Sequence, residues 1–332
     1  MKIFRKEHCP NGRIHIYLCG IKVASYKRCD KQTKIVVNNE VPLKYISADR
    51  LHIFLRDKFF EYTGKLPTEK LETLNEKIIW ASMFDVTPLK IQCADKYLVR
   101  DYVEKIIGKK YLPKLYAVYK NADEFNLDKL PQSFVLSFNA GSGQNLVVYD
   151  KSRVKESEIK HLIRKWMLYN HSDFACEMQY YYIKPIIIAR EMVDIREDIE
   201  YKLYCFNGHV EFIQLVSYIK GHNSVGTCYY DKNWKRLPFF RADANRWVLN
   251  EQTCPGHFKE MLEIAEKLSK PFDLVRVDFY ETKSGELIFG ELTFSPNAGL
   301  ITFAPDNDTV QKELGKLYKM HPRDENGFAV RK

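Results

Sequence analysis

Residues 275–293 read VRVDFYETKSGELIFGELT, two apolar strands around a tight turn, with charges set inside both. Alternation along a strand sends successive side chains to opposite faces. Arg276, Asp278 and Tyr280 therefore share one face of the first strand, and Val275, Val277 and Phe279 the other. On the second strand Leu287, Phe289, Glu291 and Thr293 share a face, with Ile288, Leu292 and Phe294 opposite. A two-residue turn at Ser284-Gly285 sets Arg276 across from Thr293 and Asp278 directly across from Glu291. Opposed carboxylates repel and weaken a sheet unless a cation lies between them. Removing one of them is thus expected to relieve the hairpin. Ordinary solvent-facing charge is the plainer alternative, and the rest of the chain has to choose.

At 332 residues, 45% hydrophobic and 14% aromatic, the chain can bury a large core and divide into two or three subdomains. It has no apolar run of bilayer-spanning length. Its polar start, MKIFRKEHCPNGR, is not expected to act as a secretory leader. Eight cysteines show neither a C-x-x-C pair nor a Cys/His ligand spacing. Reduced thiols and a cytoplasmic location are the simplest expectation. Of the net charge of +9, most sits early: residues 1–60 hold 13 Lys/Arg against 5 Asp/Glu. Such a surface could touch the inner face of an anionic membrane or an acidic polymer. No nucleic-acid motif accompanies it, and no nucleic-acid partner is expected.

Strand and helix patterns alternate without a strict βαβ rhythm, which indicates an α+β fold with mixed or antiparallel sheets. RIHIYLCGIKVASYK suggests an early hairpin broken at Gly20. A helix is expected behind Pro67 and Thr68, and a second over ADKYLVRDYVEKIIG, stopped by Gly108. LPKLYAVY, SFVLSFNA and NLVVYD read as strands, followed by a helix in ESEIKHLIRKWMLYN. Asn207-Gly208 suits a type I′ turn inside EYKLYCFNGHVEFIQLVS. Helices over GHFKEMLEIAEKLSKPF and NDTVQKELGKLYKM flank the opening hairpin. The domain division this suggests is 1–60, a basic extension with a hairpin; 61–120, an N-terminal lobe; 121–193, a small lid; and 194–332, a C-terminal lobe.

NAGSGQN (139–145) joins two strands, unlike a Walker loop or Rossmann turn, in which glycines lead into a helix. Backbone N–H groups of such a loop can still cover phosphates. Downstream, IIIAREMVDIREDIEYK places an apolar strand before Glu191. The backbone of Met192 and Val193 could meet an adenine edge there, with Asp198 reaching a ribose. Lys202 projects from the next strand toward a phosphate. One or two carboxylates plus phosphate oxygens are what Mg²⁺ usually takes, which would explain Asp278 and Glu291.

This order of parts resembles the ATP-grasp superfamily, most closely its TupA-like branch, named for teichuronopeptide biosynthesis. The resemblance runs over roughly residues 75–320. It rests on PLKIQCADKYLVRDYV, LPQSFVLSFNAGSGQN, EYKLYCFNG, YYDKNWKRLPF and LVRVDFY…GELIFGELTFSPNAG. It implies an ATP-grasp fold, an N-terminal lobe, lid and C-terminal lobe with ATP held between two sheets. It also implies roles for individual residues. Lys96 would contact nucleotide phosphates, and Gly141, Ser142 and Gly143 would form the lid loop. Glu191, Met192 and Val193 would hold adenine, and Asp198 the ribose. Lys202 would touch the γ-phosphate. Asp278 and Glu291 would bind Mg²⁺, with Thr293 where many relatives place a metal-binding asparagine. Arg276 would neutralise the transferring phosphoryl group.

The reaction the resemblance implies is ATP-dependent joining of a carboxylate and an amine through an acyl phosphate. A uronic acid of capsular or O-antigen polysaccharide is the expected acid, and an amino acid or amino alcohol the amine. Contact with the inner membrane or glycan-assembly enzymes is a further expectation. The chain departs from the family pattern FVLKCNHGSG at two positions, where Ser137 replaces lysine and Ala140 replaces histidine. A catalytically silent nucleotide-binding relative is therefore one alternative, unless Lys184 or Lys202 supplies the missing charge. A glycosyltransferase is another, for which Asp306-Asn307-Asp308 is the only D-x-D match; an N-cap role for Asp308 is the simpler reading of it. His161, His171 and His222 read as structural or surface positions, and MQYYYIK as packing.

Overall fold

The computed structural model describes residues 4–8, 13–18, 21–27, 57, 60, 71–169, 171–172, 176–218, 225–242 and 246–322. The chain separates into Met1–Ser47 and Ala48–Lys332. In the first unit β1 (Phe4–His8), β2 (Arg13–Leu18) and β3 (Ile21–Lys27) pair antiparallel in that order. The early hairpin is thus present as β2–β3, Arg13 against Lys27, with a third strand added. Pro67, Thr68 and His222 lie outside the described residues.

In the second unit, α1 (Leu74–Phe84) begins behind Thr73, not at the Thr68 start that the sequence suggested. Thr73 and Glu76 form a reciprocal capping box: Thr73 Oγ1 accepts from Glu76 N at 3.2 Å, and Glu76 Oε2 accepts from Thr73 N at 3.0 Å. α1 is apolar nearly all round and correspondingly buried. The helix expected over 94–108 is found shorter, as α3 (Val99–Ile107), and a separate α2 (Pro88–Ala94) that the sequence did not suggest precedes it across a break. The break comes from Asp95, whose Oδ1 accepts from Tyr97 N at 2.7 Å and Leu98 N at 3.2 Å. Such side-chain-to-backbone bonds compete with helix continuation.

β4 (Leu115–Tyr119), β5 (Phe134–Phe138), β6 (Asn145–Val148) and β7 (Ile187–Arg190) form one antiparallel sheet in the order β4-β7-β5-β6. α4 (Glu156–Met167) lies between β6 and β7 in sequence, its Ile159 and Ile163 buried. The second sheet contains β8 (Ile195–Phe206), β9 (His209–Tyr218), β10 (Val225–Asp231), β12 (Arg246–Val248), β13 (Leu274–Thr282) and β14 (Leu287–Thr293). Its order is β12-β10-β9-β8-β13-β14, antiparallel except where β12 joins β10. β11 (Phe240–Arg241) and β15 (Phe303–Ala304) make a small pair beside it. Asn207 and Gly208 both take positive φ, 51° and 85°, as the type I′ turn between β8 and β9 requires.

α5 (Phe258–Ser269) packs Met261, Ile264, Ala265 and Leu268 onto the core shared by the two sheets, where Phe134, Phe138, Ile187, Leu203, Val277 and Phe279 are buried. α6 (Asn307–Leu317) closes the described chain against α1. Its N-cap is Asp306, which accepts from Thr309 N at 3.1 Å. Asp308 lies in the first turn and is not the cap. Among the described residues no helix is long and apolar enough to cross a membrane.

Candidate functional site

The β13–β14 hairpin departs from the two-residue turn that its sequence suggests. Thr282 N donates to Glu286 O at 2.9 Å, so Lys283, Ser284 and Gly285 form a three-residue loop, with Gly285 at φ +83°. The extra loop residue shifts the register by one, pairing Phe279 with Phe289 and Tyr280 with Ile288. Nearer the site the expected register returns, Arg276 across from Thr293. A bulge between the two stretches absorbs the slip, setting Gly290 and Glu291 together against Asp278. Only glycine fits at 290, because a Cβ there would lie 2.9 Å from Tyr280 Cε2 and 3.0 Å from the Asp278 carbonyl oxygen.

The bulge also regroups the faces of β14. Leu287 and Phe289 turn into the core with Leu292 and Phe294, away from the Glu291 face that simple alternation assigned them. Ile288, paired with Tyr280, joins Glu291 and Thr293 beside Arg276 and Asp278.

The two carboxylates meet through cations. Asp278, fully buried, accepts from Arg276 Nε at 2.7 Å, Arg276 Nη2 at 2.6 Å and Lys202 Nζ at 2.8 Å. The same Nη2 lies 3.1 Å from Glu291 Oε1 and 3.0 Å from Thr293 Oγ1, which itself donates to Glu291 Oε1 at 2.9 Å. Lys202 also pairs with Glu200 at 2.7 Å, and Tyr280 OH donates to Glu200 Oε1 at 2.6 Å. The opposed-charge reading is corrected accordingly: Arg276 and Lys202 are built into the sheet, so the hairpin does not await an outside cation to hold it together. Burial opposes the charge on Glu291, yet Lys96, Arg276, Lys202 and the Thr293 hydroxyl bring its carboxyl down to about 2. Burial and the Arg276 charge oppose the ammonium of Lys202, but Asp278, Glu200 and Glu291 raise its pKa above the ordinary lysine value.

The donor set fits Mg²⁺ in kind, being two carboxylates and a hydroxyl. Glu291 is the ready ligand: its side chain is 43% exposed, and Oε2 has no hydrogen-bond partner among the described residues. Both oxygens of Asp278 are engaged by Arg276 and Lys202, so Asp278 would have to exchange a bond to join. No group of three or more His, Cys, Asp or Glu able to hold a metal occurs among the described residues, so phosphate or water oxygens would complete the shell.

Glu291 faces a pocket of about 690 Å³ between the two sheets. Lys96, Met192 and Val193 line it too, as does Ser137 from β5. The backbone groups of Met192 and Val193 have no partner among the described residues, which leaves them available to a planar donor–acceptor edge. Glu191 instead clips the chain to β4: its N–H donates to Lys114 O at 2.8 Å and its Oε2 accepts from Lys114 N at 3.0 Å. The side chain of Asp198 lies outside the described residues. Arg276, Lys202 and Asp278 sit behind Glu291 in the second sheet, and Ser142 and Gly143 are exposed at the tip of the β5–β6 loop.

Lys96 Nζ donates to the carbonyl of Gly141, tying the helix break at Asp95 to the glycine loop. Asn139 fixes the same junction, a role missed in the sequence. Its Nδ2 donates to Asp95 Oδ2 at 2.9 Å and Lys184 O at 3.0 Å, and its Oδ1 accepts from Ile186 N at 2.8 Å. An asparagine just before a small-residue loop was the available signal. His171 is buried beside Gly141, within 2.6 Å of Glu177 Oε2 and edge-on to Tyr180, a pocket residue. Arg100, Arg190 and Tyr280 were also missed; each lines the pocket.

A family model described as TupA-like ATP-grasp matches residues 76–319. No curated protein matches the chain. Among solved structures, L-amino acid ligase from Bacillus licheniformis is 17% identical with a TM-score of 0.42, over 78% of this chain and 57% of that one. D-alanine–D-alanine ligase from Bacillus anthracis, complexed with ATP, is 18% identical with a TM-score of 0.36, over 61% and 55%. D-alanyl-alanine synthetase A from Vibrio cholerae is 16% identical with a TM-score of 0.39, over 63% and 57%. The chain spans a little over half the length of these proteins.

Proposed function

The chain belongs to the TupA-like ATP-grasp family, and from that premise we propose that it is an ATP-dependent carboxylate–amine ligase. The finer reading is attachment of an amino acid or amino alcohol to a uronic acid of a capsular or O-antigen polysaccharide, in the cytoplasm. The observation that supports it best is the ionised chain Lys202–Asp278–Arg276–Glu291, which ends at the wall of a pocket also lined by Lys96.

In this reading a carboxylate oxygen of the acid attacks the γ-phosphorus of ATP, and ADP leaves with the bonding electrons. The amine nitrogen then attacks the acyl carbon, the bond to phosphate breaks, and the nitrogen loses a proton to solvent. Activation is required because an amine does not attack a carboxylate at neutral pH. The protein's contribution is positioning and charge. Arg276 is locked by Asp278, Glu291 and Thr293, leaving Nη1 without a partner among the described residues and available to an anionic oxygen. Glu291, ionised at every physiological pH, would hold Mg²⁺ with Thr293, and with Asp278 after exchange. When bound, Mg²⁺ would offset charge on the phosphate oxygens.

Incubation with Mg-ATP and panels of uronic acids and amines should release ADP and phosphate only when a matching acid is present, with an amide detected by mass. AMP and pyrophosphate as products would refute the mechanism. A silent nucleotide-binding protein is the second reading, motivated by Ser137, and acid-dependent turnover would exclude it. The glycosyltransferase reading loses its motif, since Asp306 caps α6. The basic segment 1–60 suits peripheral contact with anionic inner-membrane lipid or glycan-assembly enzymes, which sedimentation with anionic against neutral vesicles would test for the lipid.

A further inference from the structure

The pocket has a second charged wall, opposite in character to the hairpin. Lys96, Arg100 and Arg190 all line it, from the helix break, α3 and β7 respectively. Arg190 makes no ion pair among the described residues; its one hydrogen bond is a long one, Nη1 to Glu191 O at 3.5 Å. Arg100 donates to a carbonyl, Pro113 O at 2.8 Å, and likewise has no carboxylate partner among the described residues. After burial, the charge of Arg190 is the leading cause lowering Arg100, and it also lowers Lys96. Lys96 is offset by Glu291 and Asp95, but the two arginines repel each other at the wall of one cavity with no bonded carboxylate among the described residues, which suits an entering anion.

The sheet explains how they converge on position 137. Ser137 pairs with Ile188 and Val135 with Arg190 on adjacent antiparallel strands. Ser137 and Arg190 therefore lie diagonally on one face as neighbours about 7–8 Å apart, within reach of an arginine side chain. The Ser137 hydroxyl is buried, lines the pocket and has no hydrogen-bond partner among the described residues. A buried hydroxyl without a partner is costly and marks a place where a ligand atom can pair. The two lysines considered as replacement charges do not serve: Lys202 is committed to Asp278 and Glu200, and Lys184 is exposed and off the pocket wall.

We infer that Arg190, reaching from the neighbouring strand, supplies the phosphate-binding cation that position 137 lacks, with Arg100 beside it and the Ser137 hydroxyl donating to the same anion. A phosphate chain fits this wall better than a carboxylate, because its several charges can meet several cations and its oxygens suit the guanidinium fork. The inference rests on the ATP-dependent reading, and its test separates the two.

Metal-free ATP, inorganic tripolyphosphate and adenosine are titrated calorimetrically into the wild type, Arg190→Met and Arg190→Met/Ser137→Lys. Arg190→Met should weaken ATP and tripolyphosphate by roughly 10- to 100-fold, leave adenosine unchanged, and regain most of the loss when lysine is restored at 137. Arg190→Gln, which keeps a polar group in the pocket, is the second variant and should show the same loss. Without ligand, Arg190→Met should melt no lower than the wild type, since it removes a cation that repels two others. Undiminished ATP binding by both Arg190 variants would overturn the inference and leave the ATP reading intact. A wild type that binds neither ATP nor tripolyphosphate would overturn the reading beneath it.

Discussion

Replacing Asp278 by asparagine keeps the shape of the side chain and removes one buried charge. Asp278 has no solvent exposure and accepts three bonds from cations, at 2.7 and 2.6 Å from Arg276 and 2.8 Å from Lys202. The asparagine amide would have to turn its own donor toward one of them. Breaking a buried pair from one side costs about 3–5 kcal/mol. Glu200 and Glu291 still balance Lys202 and Arg276, which places Asp278→Asn near the lower end, about 3 kcal/mol. Glu291→Gln is the control. Its carboxylate is 43% exposed and meets Arg276 through one bond at 3.1 Å, so its loss should cost about 0–1 kcal/mol. Urea unfolding at neutral pH, with m-values checked for equality, should separate the variants by about 2 kcal/mol or more. Both should lose turnover. Simple repulsion between opposed carboxylates predicts instead that either substitution stabilises the hairpin. An Asp278→Asn protein as stable as the wild type would refute the reasoning.

Gly290→Ala forces a methyl to 3.0 Å from the Asp278 carbonyl, so a loss of about 1–3 kcal/mol is expected in thermal or urea unfolding; wild-type stability would mean the bulge is not there. His257 bridges α5 to the hairpin loop, contacting Glu260 Oε2 at 2.9 Å and Gly285 O at 2.6 Å. Its bond to Glu260 raises its pKa against burial, with help from Gly285. The contribution is thus complete below the unfolded value of about 6.5 and is lost as pH rises through the higher folded value. His257→Gln should flatten the pH dependence of Tm on that alkaline side, and an unchanged slope would remove His257 as its source. Asn139→Ala strips bonds from buried Asp95 and from the Lys184 and Ile186 backbone. It should cost about 2–3 kcal/mol and speed proteolysis within 141–144, and equal cleavage rates would refute its role in holding the loop.

Elements with strong local signals were legible in the sequence. The Asn207-Gly208 turn, the β5-loop-β6 unit and the pairing of Arg276 with Thr293 all follow from turn chemistry and alternation. What failed were features set by two residues competing or by distant partners. The helix expected from Ala94 starts only at Val99, because the Asp95 carboxylate takes the nearby backbone N–H groups. The bulge at Gly290 cancels the slip from the three-residue loop at Lys283–Gly285 only at the Arg276 end of the hairpin. Alternation therefore placed Arg276 and Thr293 correctly while assigning Leu287 and Phe289 to the wrong face. Arg190 carried no signal of its own, because only the pairing of β5 with β7 brings it beside Ser137.

The pocket lining carries charges of both signs. On the hairpin side, two cations, Lys202 and Arg276, stand against three carboxylates, Glu200, Asp278 and Glu291, leaving one surplus negative charge. Lys96, Arg100 and Arg190 add three positive charges to the lining, Lys96 near enough to Glu291 to help hold its carboxyl down. A molecule carrying both anionic oxygens and a divalent cation finds counter-charges for each in this lining. The pull of these charges on an entering ligand acts before contact and weakens as salt shortens its reach.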